Sequence, residues 1–102
     1  MSDQPRVQFA RTSDGVRIAY CVAGEGTPLL IVNPPISHVQ LEWQVYPQFY
    51  GALARSFRVI WFDFRGNGLS QRDNLDGSLS GRTRDLSAVL DRAGADTVNV
   101  LG

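Results

Sequence analysis

Val59-Ile60-Trp61-Phe62-Asp63-Phe64-Arg65-Gly66-Asn67-Gly68-Leu69-Ser70 is the stretch whose reading decides the fold. Its first four residues are wholly apolar, the pattern of a strand buried on both faces, and such strands belong to parallel sheets covered by helices. The run ends abruptly in Asp63, Arg65 and two glycines spaced one apart. Glycine tolerates backbone angles closed to other residues, so the chain can turn sharply at the carboxyl end of this strand.

Working outward, Val7-Gln8-Phe9-Ala10 and Val16 to Val22 alternate apolar with polar side chains around Ser13-Asp14-Gly15. Two alternating runs joined by an Asp-Gly turn predict a β-hairpin. Gly24 to Pro28 breaks the chain, and Leu29-Leu30-Ile31-Val32 reads as a buried strand. Asn33-Pro34-Pro35-Ile36-Ser37-His38 must be a loop, because consecutive prolines fit neither a helix interior nor a central strand. A helix is expected to begin between Trp43 and Pro47, with Tyr46, Phe49, Tyr50, Leu53 and Phe57 forming an apolar stripe on one face. Gln71 to Gly77 is polar and reads as loop. Ser80 is a candidate N-cap for a second helix, Leu86, Val89, Leu90 and Ala93 are its apolar stripe, and Gly94 is its C-cap. Val98 to Leu101 opens a last strand. Strands alternating with helices after a hairpin predict an α/β fold with right-handed crossovers.

This order, with Asp-Phe-Arg-Gly-Asn-Gly-Leu-Ser at positions 63–70, resembles the N-terminal half of the α/β-hydrolase fold, in which a D-x-R-G-x-G-x-S segment follows the fourth strand. The resemblance runs from about Val7 to Gly102 and implies a three-layer α/β domain, here an antiparallel hairpin followed by a parallel βαβαβ unit. It implies that residues 1–102 form a partial domain ending just before the nucleophile elbow, whose G-x-S-x-G would open at Gly102. Asp63, Arg65, Gly66, Gly68 and Ser70 then have an architectural role, since a nucleophilic serine needs a matched base. The same resemblance places an oxyanion loop at Asn33 to Ile36. Its aligned backbone donor is Pro35, which has no N–H, and Ile36 is the next candidate.

His38, the single histidine, and Trp43 are possible pocket-lining residues, and no Ser-His-Asp set can be assembled from these positions. Cys21 in an alternating strand reads as a packed thiol, and Glu42 as an acid at a helix start. The glycines do not make a dinucleotide fingerprint, since Gln71 and Leu29 stand where its third glycine is required.

Ten arginines, no lysine and ten acidic residues give a net charge of zero, so no footprint for nucleic acid or an anionic membrane exists. Neither a signal peptide nor an apolar run approaching the ~20 residues of a membrane span is present. The sequence is therefore read as a cytoplasmic chain with no metal or cofactor motif and a small-molecule substrate or ligand. Two functions follow from the resemblance. The first is that the parent protein hydrolyses an ester or related bond by nucleophilic catalysis. The second is that it is a ligand-sensing domain. The stretch from Asn33 to Trp43 resembles hydrolase-like domains fused to bacterial nucleotide cyclases or DNA-binding regulators, which makes a fused effector domain the partner expected in the second case.

Overall fold

A computed structural model describes residues 5–32, 38–66, 68–71, 78–95 and 99–101. In chain order these form β1 (Gln8–Arg11), β2 (Arg17–Ala23), β3 (Thr27–Val32), α1 (Val39–Val45), α2 (Pro47–Ala54), β4 (Phe57–Phe62), α3 (Leu79–Ala93) and β5 (Asn99–Leu101). The strands make a mixed sheet in the order β1-β2-β4-β3-β5. β1 and β2 are the expected hairpin, with Phe9 opposite Ala19. β2 also pairs antiparallel with β4, while β3 runs parallel to both β4 and β5.

The β4 side chains explain why this strand takes the middle of the sheet. Val59, Ile60, Trp61 and Phe62 are all buried, and alternate between two separate cores. Ile60 and Phe62 face Ile18, Tyr20 and Leu30 beneath α3, which contributes Val89 together with Leu86, Leu90 and Ala93. Val59 and Trp61 face Ala19, Cys21 and Ile31 beneath α1 and α2, which contribute Val39 and Tyr50. A polar residue at any of these positions on β4 would meet a helix whichever face it took. That is the physical content of an unbroken apolar run.

Two helix boundaries differ from the sequence reading. The segment after β3 holds two helices instead of one: His38 caps α1, and Pro47 starts α2 from its first turn, where its missing N–H leaves no bond unmade. The break at Tyr46 puts Val45, Tyr46 and Phe49 on the exterior and ends the expected single stripe, of which Tyr50 is the fully buried member; Phe57 already belongs to β4. The N-cap of α3 is Ser78, whose Oγ accepts from the Gly81 N–H at 3.1 Å, and Ser80 lies inside the helix. Gly94 closes α3 in the left-handed region with φ 74°, as its position after Ala93 predicted. Most of the polar stretch read as loop, residues 72–77, lies outside the described residues. Among the described residues no helix is long and apolar enough to cross a membrane.

Candidate functional site

Sheet topology locates the place where a ligand would sit. The crossover from β3 to β4 carries α1 and α2 over one face, and the crossover from β4 to β5 carries α3 over the other. The chain therefore leaves the carboxyl ends of the neighbouring strands β3 and β4 toward opposite faces of the sheet. In an open α/β sheet, that divergence leaves a crevice outside the strand ends, and ligands bind there. Val32 and Phe62 end the two strands. The loop that follows Val32, with the oxyanion candidates Pro35 and Ile36, lies outside the described residues. A groove of ≈ 480 Å³ lined by Phe9, Arg11, Ala88 and Arg92 lies at the other edge of the sheet, between β1 and α3, and is unrelated to this crevice.

The turn after β4 forms one wall of the region, and its side chains are consumed in holding it. Asp63 Oδ2 accepts from the Leu69 N–H at 3.0 Å within the turn and from the Val39 N–H at 3.2 Å at the start of α1. One carboxylate thus fixes the turn against the segment that returns from β3. The Asp63 N–H donates to the Ala19 carbonyl at 3.0 Å, carrying the pairing with β2 beyond the end of β4. Ser70 Oγ donates to the Asp63 carbonyl and accepts from the Ala19 N–H at 2.8 Å. Its hydroxyl is buried and doubly bonded to backbone, which leaves it neither exposed nor paired with a base. Gln71 completes the seam: its N–H donates to the Arg17 carbonyl at 2.9 Å, and its side chain accepts from the Arg17 N–H at 3.1 Å.

Arg65 ties the turn to two further elements. Its Nε donates to Asp85 Oδ1 of α3 at 2.8 Å, and its backbone N–H donates to Asp85 Oδ2 at 2.9 Å. Its two terminal nitrogens reach Asp14 of the hairpin turn at 2.7 and 3.1 Å. The hydrogen bonds to Asp14 and Asp85 raise the guanidinium pKa further above its ordinary value. In return, the Arg65 hydrogen bond and then that of the Thr12 hydroxyl hold the Asp14 carboxyl well below the usual carboxylate range. Sequence reading missed both carboxylates. Asp85 carried a usable signal, since it falls four residues before the core residue Val89 and hence on the inward face of α3. Asp14 read simply as turn chemistry.

His38 adopts an extended backbone (φ −143°, ψ 166°), and its Nδ1 accepts from the Leu41 N–H at 3.1 Å. It is half-buried, close to the Gly68 turn. Trp43 is half-buried and stacks on Trp61, with centroids 6.1 Å apart and planes at 7°. It therefore packs against the sheet, and Trp61 fixes the same helix again by donating from Nε1 to the Val39 carbonyl at 2.9 Å. Glu42 lies in the first turn of α1 as expected, but it is buried and accepts from the Tyr50 hydroxyl at 2.8 Å. Burial, then the bond to Glu42, raises the Tyr50 pKa above its ordinary value. The structure brings His38, Asp63 and Gly68 together at the carboxyl end of the sheet and keeps Trp43 in the helix–sheet interface. Among the described residues, no three His, Cys, Asp or Glu side chains cluster as a metal would require.

No family model matches the chain. A curated relative is RutD of Azorhizobium caulinodans, a protein provisionally assigned as a carbamate hydrolase; it is 36% identical over 83 residues, covering 81% of this chain and 30% of its own length. Among solved structures, the esterase RhEst1 from Rhodococcus sp. ECU1013 superposes with a TM-score of 0.80 at 29% identity, over 94% of this chain and 35% of the esterase. The N-formylmaleamic acid deformylase Nfo from Pseudomonas putida S16 gives a TM-score of 0.74 at 32% identity, over 95% of this chain and 36% of that enzyme. The chain thus spans about a third of the length of the proteins it resembles.

Proposed function

We propose that this chain, which has the α/β-hydrolase fold over the part corresponding to the N-terminal third of its relatives, is the scaffold portion of a hydrolase of carboxylic acid derivatives. The observation that carries this reading is the pair of hydrogen bonds that Asp63 Oδ2 accepts from the Leu69 and Val39 N–H groups. They fix the turn after β4 to the segment entering α1 at the β3–β4 crevice, where a preorganised oxyanion donor has to be held. Such donors act only when they are positioned before the reaction, and loss of one costs ~10²–10³ in rate. In this reading residues 1–102 form a partial domain that stops before the nucleophile elbow. Ile36 supplies the backbone N–H, because proline at position 35 has none. The nucleophile, acid and base come from sequence beyond residue 102, and no cofactor takes part. The relatives are named for esters, a carbamate and an N-formyl amide, which supports a small acyl substrate in aqueous surroundings and leaves the leaving atom, oxygen or nitrogen, as the variable.

The test is hydrolysis by the protein carrying this chain, assayed with p-nitrophenyl acetate and with an N-formyl amide. Turnover that is lost from a protein cut at residue 102 supports the proposal. Turnover retained by residues 1–102 alone, or absent from the whole protein with both substrates, contradicts it.

The Pro34-Pro35 pair favours a second reading, a ligand-sensing domain, because proline has no N–H to serve as oxyanion donor at the aligned position 35. Saturable binding of an acyl compound without turnover, in a protein that continues into a cyclase or DNA-binding domain, would select it.

A further inference from the structure

We infer that the open edge of β1 and the flank of α3 beside it are the contact surface of a twofold dimer, whose occupant is a second copy of this chain; the inference is independent of the function proposed above. β1 is the outermost of the five described strands, and the direction of its backbone groups follows from its neighbour. Ala19, opposite Phe9, spends its N–H on Ser70 and its carbonyl on Asp63. Arg17, opposite Arg11, spends both groups on Gln71. Both β2 residues therefore bond away from β1, which makes these the non-hydrogen-bonded pairs of the hairpin. Thr12, which donates to the Val16 carbonyl at 2.9 Å, keeps the alternation. The N–H and carbonyl groups of Phe9 and Arg11 consequently point outward from the sheet edge.

These four groups are a template for another strand. Two β1 strands related by a twofold axis run antiparallel, and an axis at Ala10 pairs Phe9 of each copy with the partner's Arg11. That register joins all four outward groups of each strand and sets an aromatic ring beside a guanidinium. An axis at Arg11 would oppose two arginines, and an axis at Phe9 would pair Arg11 with the partner's Val7, which lies outside the strand. Phe9 is 46% exposed and Arg11 is exposed, so both are accessible.

The helix selects the partner. Ala10 and Ala88 line the same groove of ≈ 480 Å³, so an axis at Ala10 passes close to Ala88. Arg84, Ala88 and Asp91 follow at helical spacing as one stripe of α3. With Arg11 they line the adjoining hollow of ≈ 380 Å³. Turned about the axis, this stripe meets itself reversed: Arg84 faces the partner's Asp91, Ala88 faces its own copy, and Asp91 faces the partner's Arg84. A surface of this kind complements itself, as an isologous contact requires. An acidic peptide on the same edge would suit Arg84 and be repelled by Asp91, and a basic peptide would meet the reverse.

The test is sedimentation equilibrium of the protein carrying this chain, with the charge reversals Arg84→Glu and Asp91→Arg made singly. The wild type dimerises reversibly. Each single variant opposes like charges at two places, which raises Kd by about tenfold. An equimolar mixture of the two variants regains the wild-type affinity, because each then meets its opposite, and this arm shows in addition that both variants are folded. A second arm needs no variant: in amide exchange followed by NMR, the Phe9 and Arg11 N–H groups gain protection as the wild-type concentration rises. A wild type that stays monomeric up to about 1 mM overturns the inference. Folded variants that dimerise as tightly as the wild type, or whose mixture is no tighter than either alone, overturn it as well. Protection of Phe9 and Arg11 already complete in the monomer also overturns it, since another part of the protein then covers the edge.

Discussion

Gly68 and Asp63 occupy space that only a glycine leaves free: a Cβ built at position 68 falls inside the contact distance of Asp63 Oδ2, with the backbone in the left-handed region at φ 51°. The carboxylate cannot move away without giving up its hydrogen bonds from Leu69 and Val39. The glycine is thus a condition for Asp63 to link the β4 turn to α1, and through it to the edge of the crevice.

Gly68→Ala therefore combines backbone strain with displacement of Asp63. We expect a loss of about 1–3 kcal/mol in urea unfolding, and a larger effect on kcat than on KM, because the segment entering α1 is released.

Arg65 is buried among carboxylates from two other elements. Its side chain is 1% exposed, and that of Asp85 is fully buried. Arg65→Met leaves the Asp85 charge without its partner, and removing one member of a buried pair costs about 3–5 kcal/mol. Asp14→Asn removes a partly exposed partner and costs less, so the two variants are ranked by their urea midpoints.

Acid stability should carry the mark of Asp14. Its carboxyl is held below the ordinary value by Arg65 first and Thr12 second. A depressed folded pKa stabilises the fold fully above the unfolded pKa of about 3.9, and this contribution is lost as pH falls through the folded value. Below about pH 4 the wild type therefore loses stability more steeply than Asp14→Asn. Equal slopes in the two proteins would show that the Asp14–Arg65 pair contributes nothing.

Cys21 is buried beneath α1 and α2, and burial pushes its thiol pKa up to about 12, with Asp63 adding to the shift. At pH 8 the native protein should not react with a disulfide reagent, whereas the unfolded chain reacts within minutes. The thiol then reports opening of the core without a label, and the reaction rate follows the unfolding equilibrium.

The strands themselves were legible because apolar continuity and alternation are properties of single strands, whereas their order in the sheet was not read from the sequence. The unbroken run at Val59 to Phe62 meant two covered faces, and two covered faces are what the structure has. The α1–α2 break was not legible in the same way: Tyr46 and Phe49 fit a helical stripe by spacing, but spacing does not register that Pro47 begins a new helix. Ser80 suffered from a related ambiguity, since Ser78 and Ser80 are both capable caps and tertiary packing of Leu86 and Val89 sets the phase. At the site, Asp63, Gly68 and Ser70 were recognised as a turn, while the partners of Arg65 were not. Contacts such as Arg65 to Asp14, 51 residues apart, leave no periodic trace in a sequence.

The central claim is that this chain holds a crevice whose nucleophile it does not supply. An alkyl fluorophosphonate, which labels an activated serine covalently, tests it when followed by peptide mapping of the protein carrying this chain. The account predicts a label on a serine beyond residue 102 and none on Ser70, whose hydroxyl is bound to Ala19 and Asp63. A label on Ser70, or on any serine within residues 1–102, would contradict it.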